Sequence, residues 1–284
     1  MTGRDRGRGA PAAAEAARLD RDAQGGVTVW RDGFPQSYVH LDDPEFLAFE
    51  YVAQMALALD ALAPPGPLRV THVGGAGLTL PRYVAQTRPG SPQIVLEPDS
   101  ALTALVRREL PLPRRHRIRV RDQDGLTGMR LLADASADAV LLDAYDAGRL
   151  PASLAGQEFL AEVARVLAPR GLLVANLADE PGMAYVARCL ATASAAGLAS
   201  VLVGLHEVLK GRRYGNVVLV AAPRAHAQVL DEGALRRAAV RCPFPTGVRG
   251  RAEADRLGAG SRPFGPGETV PSPTPPPVDG WRVT

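Results

Sequence analysis

Ala139-Val140-Leu141-Leu142 is apolar at every position rather than at alternate ones, and apolar stretches of similar length recur through the chain with helix-length segments between them. A strand of that kind is covered on both faces, the condition of a parallel sheet flanked by helices. Strands are expected at 69–73, 93–97, 118–120, 139–143, 171–176, 199–205 and 216–221, and helices at 101–110, 157–167 and 182–195. Repeated units in that order imply an α/β fold: a doubly wound, mostly parallel seven-stranded sheet whose last strand runs antiparallel.

The flanks differ in kind. Residues 1–25, rich in Arg, Gly, Ala and Asp, are expected to form a flexible arm. Residues 26–63 hold a small β-hairpin, turned at Asp32-Gly33, and then a helix. Asp43 and Pro44 are expected to open that helix, with Phe46, Phe49, Val52, Met55 and Ala56 on its buried face. The rigid Pro64-Pro65-Gly66-Pro67 begins the Rossmann-like domain, 64–223. A helical extension, 224–260, and a Pro/Gly/Ser-rich segment, 261–284, follow. The last is expected to be a mobile tail, because such a composition buries too little surface to offset its ordering entropy.

Composition excludes several classes. The formal net charge is +3, carried almost entirely by arginines that are interleaved with acids, with Lys210 the only lysine. A nucleic-acid surface requires a concentrated basic stripe, so none is expected. Cys189 and Cys242 stand far apart without metal-ligand neighbours, so neither a disulfide framework nor a metal site is expected. No apolar run approaches the roughly 18 residues of a membrane span, and no secretory signal is evident, so a cytoplasmic protein without membrane contact is expected.

The chemistry concentrates at the ends of the expected strands. Val70-Thr71-His72-Val73 runs into Gly74-Gly75-Ala76-Gly77, and the next apolar run ends in Glu97. Glycines there allow close backbone approach to a ligand, and a carboxylate on the following strand can accept both hydroxyls of a ribose. Two further loops, Asp122-Gln123-Asp124-Gly125 and Asp143-Ala144-Tyr145-Asp146, add acids to the same crevice. Asp99 and Asp124 also suit helix N-caps. A dinucleotide site is excluded because Leu80 stands where the third glycine of that pattern belongs.

In order and spacing, GGAGLTLPRY, IVLEPD, DGL and LLDAYD resemble the spermidine synthase (polyamine aminopropyltransferase) family, over roughly residues 26–222. The resemblance implies the class I S-adenosylmethionine-dependent methyltransferase fold. It implies a co-substrate of that type, S-adenosylmethionine or its decarboxylated form, and a small-molecule acceptor of the polyamine class. By position, Gly74, Gly75, Gly77, Glu97, Asp124 and Gly125 would bind the nucleoside, Glu97 at the ribose and Asp124 at the adenine amino group. Asp143 would deprotonate the attacking amine and Asp146 help hold it, while Gln36, Tyr51, Tyr145 and Tyr214 would face the acceptor. Members are commonly dimers, and the hairpin is the kind of element that could form the interface.

Three departures from the family pattern stand out. The glycine turn carries no acid between Gly74 and Leu80, Asp146 is followed by Ala147 rather than proline, and the later substrate loop is the basic 210–215. Arginines pointing inward there would repel a polyamine. An S-adenosylmethionine-dependent methyltransferase and a non-catalytic nucleoside-binding homologue are therefore the alternatives to aminopropyl transfer.

Overall fold

The structure, a computed structural model, describes residues 17–276. The chain opens with β1 (Arg18–Arg21), β2 (Gly26–Arg31) and β3 (Phe34–His40), an antiparallel sheet in that order. Asp32 and Gly33 both have positive φ, 51° and 76°, the two-residue turn whose twist matches a hairpin. The expected flexible arm is corrected at 18–21. There Leu19 packs beneath the sheet and the Arg18 guanidinium lies 4.8 Å over the Trp30 ring. Residues 1–16 of that arm lie outside the described residues.

Helix α1 (Glu50–Leu62) starts later than Asp43-Pro44 suggests. Asp43 caps only a turn, accepting from Glu45 N, and Phe46 packs on Tyr38 and His40 of β3. The extended stretch that follows brings Phe49 to the N-cap and puts Glu50 and Tyr51 in the first helical turn.

The main domain then alternates. In chain order come β4 (Val70–Val73), α2 (Thr79–Thr87), β5 (Gln93–Leu96), α3 (Ser100–Glu109), β6 (Ile118–Arg121), α4 (Gly125–Arg130) and β7 (Ala137–Leu142). They are followed by α5 (Gln157–Val166), β8 (Leu167–Asp179), α6 (Ala184–Ala195), β9 (Leu198–Leu205), α7 (His206–Leu209) and β10 (Gly215–Pro223). Helix α8 (Glu232–Val240), β11 (Thr246–Arg249) and α9 (Arg251–Gly258) complete the series. Among the described residues this sheet has eight strands, ordered β11-β9-β10-β8-β7-β4-β5-β6. The pairs from β8 to β6 are parallel, and β10 runs antiparallel to both of its neighbours. The strand beyond the expected seven is β11, which pairs antiparallel with β9.

Burial on both faces explains the continuous apolar runs. Leu141 packs with Met55, Leu59 and Leu235 on one side, and Leu142 with Phe159, Val163 and Val186 on the other. Among buried polar side chains, His72 bonds Gln93 Oε1 through Nε2 at 2.8 Å, and Gln93 Nε2 reaches Pro81 O at 3.0 Å. Burial pushes the His72 pKa down to about 4, so this histidine is a neutral tie between β4, β5 and α2.

The expected mobile tail is corrected over 261–276. Phe264 is buried, with the Arg188 guanidinium 3.9 Å above its ring, and Arg188 also pairs with Glu268 at 2.6 Å. Ser272 bonds Leu150 in both directions, N to O at 3.2 Å and Oγ from Leu150 N at 2.8 Å. One aromatic anchor and one buried serine hold a segment whose composition alone predicts disorder. Residues 277–284 lie outside the described residues. Among the described residues, no helix is long and apolar enough to cross a membrane.

Candidate active site

The chain runs β4, β5, β6 outward and then returns to β7 on the other side of β4, so the topological switch point lies between β4 and β7. Ligands of open α/β sheets bind at that crevice. Here it opens into a cavity of about 860 Å³. Every site residue expected from the sequence lines it except Gly77.

The glycine turn and the β7 loop are locked together. Gly74 has φ 92°, and a Cβ there would lie 2.1 Å from the Asp143 carbonyl oxygen. Only glycine allows this contact, which sets Asp143 beside the turn. Glu97 Oε2 accepts from Gly75 N at 2.9 Å and Ala76 N at 3.1 Å, while Oε1 accepts from Asp99 N at 3.0 Å. A carboxylate offers about four lone-pair positions, so three are taken by amides that fix its direction. Asp124 lines the cavity and also caps α4, accepting from Thr127 N at 3.0 Å, so the capping and site positions coincide. Gly125 admits no side chain, because a Cβ would meet Val73 Cγ1 at 2.4 Å.

Gly77 is the correction. It lies under the N-terminal sheet, where its N–H donates to Ser37 Oγ at 3.0 Å and a Cβ would meet Ser37 Cβ at 2.8 Å and Val39 Cγ2 at 2.9 Å. It docks the hairpin on the turn and does not face the cavity. A Gly77→Ala substitution should therefore cost about 1–3 kcal/mol by overpacking. Thermal unfolding read from tryptophan fluorescence would show it, and an unchanged midpoint would contradict the assignment.

Around Asp143 the environment turns apolar and aromatic. Asn176 Nδ2 donates to Asp143 Oδ1 at 3.0 Å, and Tyr145 Oη donates to the Asn176 carbonyl at 3.2 Å. Burial raises the Asp143 pKa to about 6, opposed by hydrogen bonding from Asn176 and Tyr51. Burial, and next the charge of Asp143, lift the Tyr51 and Tyr145 hydroxyls well above the usual tyrosine range, so both remain donors. Gln36 on β3 and Tyr214 before β10 line the same cavity.

Asp146 is exposed. It closes a tight turn with Arg149, in which Ala147 and Gly148 both have positive φ, 45° and 74°. Proline cannot adopt that angle, so the departure from the family's proline follows from the turn. The basic loop is also corrected. Lys210 and Arg212 pair with Glu207 at 3.0 and 3.2 Å, and of residues 210–215 only Tyr214 lines the cavity.

Glu50, one residue before Tyr51 at the start of α1, also lines the cavity. One lining residue escapes a motif-based reading. Asn176 is a polar residue inside the apolar run of β8, 1% exposed, and its Oδ1 has no hydrogen-bond partner. An unmet buried acceptor costs about 1–3 kcal/mol. That polar break in a strand covered on both faces is the signal that could have marked it.

No family model matches the chain. A polyamine aminopropyltransferase of Chromobacterium violaceum is 24% identical over 206 residues, 72% of this chain and 74% of that protein. Another, from Vibrio vulnificus, is 32% identical over 130 residues, 45% of this chain and 43% of the relative. A probable spermidine synthase from Corynebacterium glutamicum superposes with a TM-score of 0.78 at 26% identity, covering 96% of this chain and 98% of that one. Sequence and fold point the same way: the chain is similar to polyamine aminopropyltransferases in sequence and shares its fold with a probable spermidine synthase.

Proposed function

We propose that the protein is a transferase that moves an aminopropyl group from decarboxylated S-adenosylmethionine to a small amine. The observation that carries this reading is the charge of the cavity wall. Glu50, Glu97, Asp99, Asp124, Asp143 and Asp146 line it, and Arg31 is the one basic residue among the described lining residues. Arg31 is already paired with Asp99 at 2.9 Å. Such a wall favours a sulfonium with a terminal ammonium and a cationic amine. It disfavours the intact donor of a methyltransferase, whose carboxylate would enter without a counter-charge.

Glu97 receives a ribose hydroxyl on its remaining acceptor position and Asp124 the adenine amino group. The acceptor nitrogen must be neutral to attack. Its lone pair forms a bond to the propyl carbon beside the sulfonium, and the carbon–sulfur bond breaks with its electrons returning to sulfur. Methylthioadenosine leaves, and the amine proton passes to the Asp143 carboxylate. Tyr51 and Tyr145 supply apolar walls for an aliphatic amine, and Asp146 and Glu50 supply negative charge at its approaches.

Asp143 must be ionised to take that proton. Its pKa of about 6 sets the acid limb: kcat/KM should fall as pH drops through about 6 and hold above it until the next group titrates. The test is amine-dependent release of methylthioadenosine from the decarboxylated donor, across a panel of diamines and over that pH range. Transfer to none of them, with the donor bound, would remove the reading. A limb at the ordinary carboxylate value would contradict the raised pKa of Asp143.

A further inference from the structure

We propose that Asn176 is a positioning residue for Asp143: its amide N–H holds one carboxylate oxygen in place and leaves the other to take the proton. This rests on Asp143 serving as the base in the reading above. Three observations lead to it. First, Asn176 interrupts a strand that is apolar from Leu172 to Ala175 and again at Leu177 and Ala178, with Val218 of β10 as its ladder partner. Nothing in the sheet requires a polar side chain there. Second, its amide is only half used: Nδ2 donates to Asp143 Oδ1 at 3.0 Å, and Oδ1 is buried with no donor facing it. Asp143 is therefore the one polar partner that the side chain serves. Flipping the amide would turn its carbonyl against the carboxylate, so the ion sets the orientation. Third, the backbone of Asn176 is tied from the opposite side by Tyr145, which belongs to the same loop as Asp143. The loop and the strand end are thus linked twice, once through side chain and once through main chain.

Such an arrangement suits a base that works in apolar surroundings. The groups facing Asp143 are the Tyr51 hydroxyl from α1, with Glu50 beside it, Tyr145 from its own loop, and Asn176 from β8. None of these is a cation. Among them, the Asn176 and Tyr51 donors favour the ionised carboxylate against the desolvation that opposes it. A local rule broken without structural compensation is the mark of a site serving chemistry.

The test replaces Asn176 by Leu, which suits the apolar strand, and in parallel by Val in case the first substitution disturbs packing. The carboxyl carbon of Asp143 is followed by NMR in protein labelled at aspartate, its resonance assigned as the one lost in Asp143→Asn. In folded Asn176 variants its titration midpoint should rise by at least about 0.5 unit. On any amine turned over, kcat should fall by about tenfold or more while KM for the donor stays within about twofold. A midpoint that stays or falls in folded protein overturns the proposal. The titration requires no turnover, so it decides the role of Asn176 even if aminopropyl transfer fails.

Discussion

Asp143→Asn should lower turnover by about 10²–10⁴-fold, the range a positioned general base contributes. Nucleoside binding should stay within about twofold, because Glu97 and the glycine turn are untouched. The same variant should be more stable than the parent at neutral pH. The folded pKa of Asp143 is raised, to about 6, above the unfolded value near 3.9, so the folded state holds the proton more tightly. Its contribution to stability is therefore greatest below the unfolded value, is lost as pH rises toward about 6, and is flat beyond. At pH 7 the ionised carboxylate costs the fold about 1–2 kcal/mol after allowance for solvent at its half-buried position. Removing that charge should raise Tm by about 2–3 °C. Loss of activity together with a gain in stability distinguishes a functional acid from a structural one, and a lowered Tm would indicate the latter.

Glu97→Leu should have the opposite balance. The substitution keeps volume but removes the acceptors for Gly75 N, Ala76 N and Asp99 N together. Hydrogen bonds to an ionised partner contribute about 1.5–3 kcal/mol each and do not add fully. A loss of about 2–4 kcal/mol in unfolding free energy is therefore expected, since the turn amides also lose their partner. Methylthioadenosine binding should weaken by about 100-fold or more, as both the ribose acceptor and the shape of the turn are lost. Denaturant unfolding measures the first and calorimetry the second. Binding within about threefold of the parent would remove Glu97 from the nucleoside site.

The sheet was legible because strands covered on both faces leave no choice of residue type: Ala139 and Leu141 face one core, Val140 and Leu142 the other. The short edge strand Thr246-Gly247-Val248-Arg249 carries no such run, and its place comes from the free edge of β9. Asp43-Pro44 carries a valid helix signal, yet Phe46 stacks on β3 instead and the helix waits until Glu50. At the site, the loops that follow β4, β5, β6 and β7 could be placed from their glycines and acids. Gly77 was misjudged because a glycine needed for docking a hairpin looks the same in sequence as one needed for a ligand. Asn176 belongs to no motif; beyond being a polar break in an apolar strand, only its proximity to Asp143 distinguishes it.

Under the proposed function, the carboxylate-walled cavity selects a donor without a carboxylate of its own. Side-by-side calorimetric titration with S-adenosylmethionine, its decarboxylated form and methylthioadenosine tests it most directly. The decarboxylated donor should bind more tightly than the intact one, by about tenfold or more, the scale of one uncompensated charge in a partly desolvated cavity. Equal or tighter binding of the intact donor, or no binding of any of the three, would contradict it.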